Sequence, residues 1–395
     1  MPATILLLAF GQSNADVHIA GPRWPSQFFD DPNILVPDDG WGIRGLMGRG
    51  EQQDFSGFVV ANTFEPNNQS LLLAAAARIR HEHPQSKVII RSVAKGGRRL
   101  LAIRQRERDV EGLFKNADGE LSIHINNLIR TLRLSIEASA QSGGGIKSVY
   151  ILWLHGESDR AMPAGEYGEV FWKLIDEVAA ASEDIGVSIQ WLTVQSGGTS
   201  YGGDGNHWPN RLALLDDDLQ DIAPCVAVGH ICDYFDKSHY SARGKLGLGE
   251  WLGHVVSRYE SGTRFRLQIP KGARKIGPDH LELQFDVDIA IDGAEPVGVQ
   301  VANGAQLLNI RSVEIAEDRT IMIRLEEPND FRQLQINHAF ARNRIKDPER
   351  LPDRAYGVGN LRTTYEINSI LSPGTILYEP IPGFSIPTQL DEAVI

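Results

Sequence analysis

"TILLLAFGQSN", residues 4 to 14, is an unbroken apolar run that halts on a glycine, an amide, a hydroxyl and a second amide. A short run of this kind, bounded by turn residues, reads as a strand covered on both faces, the pattern of a parallel sheet under two helical layers. Four more runs fit: "KVIIRSVA" (87 to 94), "SVYILWL" (148 to 154), "VSIQWLTV" (187 to 194) and "CVAVGHIC" (225 to 232). Between them lie helical stripes at i, i+3/i+4 spacing. They comprise Leu121, Ile125, Leu128, Leu132 and Ile136, then Tyr167, Val170, Phe171, Leu174 and Val178, and finally Leu248, Trp251, Leu252, Val255 and Tyr259. Strands alternating with helices predict an α/β catalytic domain over residues 1–262. Residues 15–69 and 95–120 lack sustained periodicity and read as long loops that shape a site.

After Gly262 the pattern changes to period two, as in "HLELQFDVDIAI", "TIMIRL" and "RQLQINHAF", with turn residues between. Such alternation predicts a small antiparallel, sandwich-like β-domain over residues 263–345. Residues 346–395 are Pro-rich and nonperiodic, an extension expected to pack on the body or on a partner subunit.

Composition narrows the function. At 395 residues the chain exceeds one ordinary core, and 42% hydrophobic with 23% charged residues is normal for a globular protein. A net charge of −12 disfavours nucleic acid, whose phosphates recruit lysine and arginine. The opening residues lack a basic leader pattern, and no apolar run is long enough to span a bilayer. No membrane partner is expected, and the compartment stays open between a cytoplasmic default and a phage or virion setting. Cys225 and Cys232 read as buried thiols rather than a disulfide framework.

In a parallel sheet the carboxyl ends of the strands share one edge, where ligands bind. The polar clusters fall there: "GQSN", "KGGRRL", "HGESD", "QSGGTSYGGDGNHW" and "DYFDKSH". A serine needs a base, and the base needs an orienting carboxylate. Ser13 is the candidate nucleophile, His239 the base and Asp236 the orienter, with Asp233 competing for that last role. The amides of Ser13 and Gly97 are candidate donors to an oxyanion. His155 is a further candidate, as oxyanion donor or substrate contact, against the alternative of a structural hydrogen-bonded histidine. Gln12 and Glu157 complete the group, Glu157 more as a tie between loops than as a proton carrier. Arg98 and Arg99 could hold an acidic sugar's carboxylate bidentately. The other arginines of this stretch, Arg91, Arg104, Arg106 and Arg108, read mainly as a solvated face paired with Glu107, Asp109 and Glu111. Trp41, His207 and Trp208 lie in loops and could stack on a sugar or plug the core. Ala15 rules out the G-x-S-x-G elbow of α/β-hydrolases.

At these residues the chain resembles the sialate O-acetylesterase-like carbohydrate esterases of the SGNH (GDSL-like) hydrolase superfamily. Three ordered blocks carry the likeness: "GQSN" at 11 to 14, "WLHGESD" at 153 to 159 and "DKSH" at 236 to 239 followed by "ARGKLGLG". "VAKGGRRL" resembles a weaker glycine block. The resemblance implies a flavodoxin-like three-layer α/β/α sandwich with a five-stranded parallel sheet. It also implies a Ser13/His239/Asp236 triad, no metal or other cofactor, and hydrolysis of O-acetyl esters on a carbohydrate through an acetyl-enzyme. The main departure is His155, where the family carries glutamine. Two rival expectations are a non-catalytic glycan-binding module and an esterase, lipase or thioesterase with a non-carbohydrate substrate. A homo-oligomer is left open.

Overall fold

The computed structural model describes residues 3–16, 31–42, 54–61, 70–105, 108–197, 209–234, 239–293, 296, 298–304, 306–330, 333–339 and 359–390. In chain order the first strands are β1 (Thr4–Gly11), β2 (Ile34–Pro37), β3 (Phe58–Val60), β4 (Lys87–Ser92), β5 (Ile103–Gln105), β6 (Arg108–Val110), β7 (Ile146–His155), β8 (Ile189–Gln195) and β9 (Cys225–Val228). Seven of them form one sheet in the order β3-β2-β4-β1-β7-β8-β9. All five anticipated strands are in it and run parallel.

The expected five-stranded sheet is nevertheless corrected to seven mixed strands. Within the stretch read as a loop, β2 adds parallel to β4, and β3 pairs antiparallel at the edge. These strands are too short, at four and three residues, to show a period. By contrast every residue of β1 is buried. Each of its leucines contributes about 1.5–3 kcal/mol by leaving water.

The helices are α1 (Leu71–Glu82), α2 (Ile123–Gln141), α3 (Ala164–Ala181), two short ones, α4 (Asn210–Ala213) and α5 (Asp217–Ile222), and α6 (Ala242–Glu260). The three predicted stripes lie on or beside α2, α3 and α6, with Leu128, Phe171 and Leu252 fully buried. Helix α1, capped by the Ser70 hydroxyl on the Leu72 amide, has no stripe because its residues 71–76 are all buried. It meets α6 at two glycines. A Cβ on Gly249 would lie 2.3 Å from the Leu71 carbonyl oxygen, and one on Gly253 2.3 Å from that of Ala75. Only glycine lets these backbones approach so closely.

Beyond α6 come β10 (Gly272–Lys275), β11 (His280–Gln284), β12 (Ile289–Ile291), β13 (Val299–Asn303), β14 (Gln306–Leu308), β15 (Ile310–Glu317), β16 (Thr320–Leu325), β17 (Gln335–His338), β18 (Leu361–Asn368), β19 (Ile376–Pro380) and β20 (Ser385–Leu390). Eight build a second sheet, β14-β13-β17-β20-β10-β11-β16-β15, and three a small one, β12-β18-β19. Pairing is antiparallel except between β10 and β20. Residues 361–390, read from sequence as a nonperiodic extension, thus carry three strands. Pro380 and Pro387, at or within strands, hide the alternation. The segment "RFRLQI" (264 to 269) alternates in the same way, but it is not part of a strand.

Side chains tie this region back to α6 and β8. The Glu250 carboxylate accepts from the Ile370 and Leu371 amides and the Ser369 hydroxyl. The Gln195 amide exchanges two hydrogen bonds with the backbone of Gly383.

Candidate active site

The glycine that ends β1 is dictated by packing. Gly11 sits at φ 139°, and a Cβ there would stand 2.1 Å from the Leu154 carbonyl oxygen. The chain then turns, with the Gln12 amide donating to Leu154 and the Ala15 amide to Gln12. This turn buries Gln12 and Asn14 and leaves Ser13 between them half-exposed.

Glu157, on the loop after β7, holds both flanking amides. Gln12 Nε2 donates to one carboxylate oxygen, and Asn14 Nδ2 donates to the other at 3.0 Å. Gln12 Oε1 in turn accepts from the Ser158 amide. Burial pushes the Glu157 carboxyl up, against a downward pull from these hydrogen bonds and from the charge of His239. His239 therefore lies within electrostatic reach of the group that grips the serine loop. Its neighbour makes direct contact: the Tyr240 amide donates to Asn14 Oδ1 at 3.1 Å, across 226 sequence positions. Asn14 was not among the residues singled out from sequence, although the second amide of "GQSN" was the signal.

The glycine block packs on the same turn. The Lys95 amide donates to the Gly11 carbonyl, and a Cβ on Gly96 would contact the Ser13 Cβ at 3.5 Å. Gly97 follows in the left-handed region, φ 69°, and is exposed. Arg98 is half-buried and near enough for its charge to disfavour protonation of His124, already held down to about 4 by burial.

Of the two readings of His155, its contacts are those of the structural hydrogen-bonded one. Its side chain is wholly buried; Nε2 donates to the Arg98 carbonyl at 3.1 Å, and Nδ1 accepts from the Tyr167 hydroxyl at 2.9 Å. The ring has no N–H left for substrate. Burial lowers its pKa to about 4, so it is neutral at pH 7. Asp159 works beside it, accepting from the Leu100 amide at 2.7 Å. Burial raises that carboxyl to about 6, opposed by the Leu100 amide and Arg99. Alternate residues of "HGESD" thus hold two loops: His155 and Asp159 the glycine block, Glu157 the serine turn.

Other expectations sort as follows. Asp236 lies outside the described residues, as do His207 and Trp208. The carboxylate of Asp233 stands 3.3 Å from Arg243 Nε. Arg91 is corrected from a solvated arginine to a fully buried one, held by both oxygens of Asp39. Trp41 is buried in the core. Both cysteines are free and buried, and burial raises each thiol. Among the described residues no helix is long and apolar enough to cross a membrane.

No family model matches the chain, and no curated protein matches it in sequence. Among solved structures it is similar to a carbohydrate acetylesterase from Xanthomonas citri, with a TM-score of 0.61 at 15% identity, covering 96% of this chain and 80% of that one. Weaker matches are NanS, with a TM-score of 0.46 at 13% identity over 66% of this chain and 98% of that one, and a protein from Arabidopsis thaliana, with 0.42 at 18% over 64% and 97%. At such identity the likeness concerns architecture: the chain has a carbohydrate esterase-like fold, α/β with additional β-sheets.

Proposed function

We propose that this protein is a serine esterase that removes O-acetyl groups from a carbohydrate. Ser13 attacks the acetyl carbonyl while His239 takes its proton, and Asp236 orients the imidazole. The alcohol leaves with that proton, and water then hydrolyses the acetyl-enzyme by the same route. The backbone amides of Ser13 and Gly97 stabilise the oxyanion. Glu157, through Gln12 and Asn14, is a positioning residue.

The observation that carries this reading is the Asn14–Tyr240 hydrogen bond, which joins the serine turn to the histidine loop at one sheet edge. The architecture shared with an acetylesterase supports the ester chemistry.

Acetate release from 4-nitrophenyl acetate and from a panel of acetylated polysaccharides and sialic acids tests it. Ser13→Ala is expected to lower the rate by a factor on the order of 10^4 or more while the protein stays folded. A folded wild-type protein that releases acetate from none of these substrates overturns the proposal.

A further inference from the structure

A second tie joins the serine turn to the region of His239, and a buried lysine makes it. The Asp16 amide closes the turn by donating to the Ser13 carbonyl at 3.2 Å. The Asp16 carbonyl in turn accepts from Lys245 Nζ at 2.9 Å. Lys245 lies in the first turn of α6, the helix that begins at Ala242, just after His239, and it is 1% exposed. Side chains on a helix lean toward its amino end, so this lysine reaches back past the helix start to the turn that ends β1.

The helix start is a rigid anchor. The Ser241 amide donates to the Asp233 carbonyl at 2.9 Å, its hydroxyl accepts from the Gly244 amide at 3.1 Å, and its carbonyl accepts from the Lys245 amide at 2.9 Å. Gly244 packs so closely that a Cβ there would stand 2.2 Å from the Asp233 carbonyl oxygen. The first turn of α6 is thereby pinned to the residues that follow β9. Burying an ammonium is costly, and an apolar side chain of the same length would fill the space without that cost. Burial lowers the Lys245 pKa to about 8, opposed by the charge of Asp16, so the ammonium persists at pH 7. What a charged N–H supplies and a methyl group does not is a strong, directional bond to the carbonyl three residues past Ser13.

We propose that Lys245 is a positioning residue for the esterase reaction: by holding the Asp16 carbonyl it keeps the Ser13 hydroxyl in register with His239, whose loop leads into the same helix. This role rests on the esterase reading above. Together with the Tyr240 amide on Asn14, Lys245 gives the serine turn two ties to this region, both just past Ser13 in the chain. One tie would act as a hinge; two fix the angle as well as the distance.

Kinetics of acetate release at pH 7, from 4-nitrophenyl acetate and from the acetylated glycans of the panel, test it with three variants of the full chain. Lys245→Met removes the ammonium and keeps the chain length. It is expected to lower kcat by about tenfold to a hundredfold, the cost of a misplacement near 1 Å, while KM stays within about twofold. Lys245→Gln keeps an N–H donor and should retain more of kcat than Lys245→Met. A merely structural role predicts the reverse order, because a buried space accepts methionine more readily than an amide. Lys275→Met is the matched control: Lys275 is also buried and donates to the Asn329 carbonyl at 2.7 Å, at the end of β10, and its loss should leave kcat unchanged. If Lys245→Met does not fold, Lys245→Gln against wild type carries the test, with a lowered kcat at unchanged KM expected. A wild type inactive on every one of these esters overturns the esterase reading, and this role with it. An active wild type overturns the role alone if kcat of Lys245→Met, or of Lys245→Gln where only that variant folds, stays within about twofold of it. Lys245→Gln slower than Lys245→Met, or Lys275→Met losing as much as Lys245→Met, does the same.

Discussion

The strands β7 and β9 lie in one sheet; β7 ends on a buried neutral histidine, His155, and another, His230, stands two residues beyond the end of β9. The first has both nitrogens engaged and fastens a neighbouring loop; the second has neither engaged among the described residues and packs edge-on against the buried His338 ring. Burial and neutrality alone therefore say nothing about role. What separates the two is whether the surroundings return the hydrogen bonds that burial removed.

The contrast is broken or sharpened by making the same substitution at both positions. His155→Leu leaves the Arg98 carbonyl and the Tyr167 hydroxyl without their partner, and is expected to cost about 3 kcal/mol in urea unfolding at pH 7.5. A cost below about 1 kcal/mol would return His155 to the candidates for direct chemistry.

Acid comes next in size. Four buried histidines, His124, His155, His230 and His338, have pKa values lowered by burial, three of them to about 4. Between about pH 6.5 and 4 the unfolded chain binds more protons at these groups, so their contribution is complete above 6.5 and is lost as pH falls. Asp159, raised to about 6, acts in the opposite sense: the fold gains from it as pH falls through that value. Unfolding curves at several pH values should show that His230→Leu flattens the acid loss by up to about 1.4 kcal/mol per pH unit, one proton's worth. An unchanged slope would mean that His230 is not held neutral.

The smallest effect is His230→Leu at pH 7.5. Removing an unpaired buried imidazole is expected to raise stability by about 1 kcal/mol, opposite in sign to His155→Leu. A loss equal to that at His155 would show that His230 has a partner and would erase the distinction.

Which features were legible in the sequence follows from how each is buried. β1, β4, β7, β8 and β9 announce themselves because strands covered on both faces leave uninterrupted apolar runs, α2 and α3 because each has a solvent side, and α6 because Glu250, His254 and Ser257 break its apolar residues into a stripe although they too are buried. Helix α1 escapes because "LLLAAAA" is buried nearly all round, wedged against the glycines of α6, and carries no stripe. The serine turn was readable from its amides. The Asn14–Tyr240 contact was not, since its donor is a backbone amide that any residue supplies. Nor did anything mark His230, a polar residue in the apolar run "CVAVGHIC". The strand stops at Val228, and only the fold shows what lies beyond it.

The position of β20 has a consequence for biosynthesis. It pairs with β17 on one side and β10 on the other, in the interior of the eight-stranded sheet. Until residues 385–390 have left the ribosome, three strands and four strands stand apart, each with an open edge inviting a stranger to pair. The seven-stranded sheet needs nothing past β9, so a nascent chain can hold a finished first half while the second waits, exposed, for its keystone.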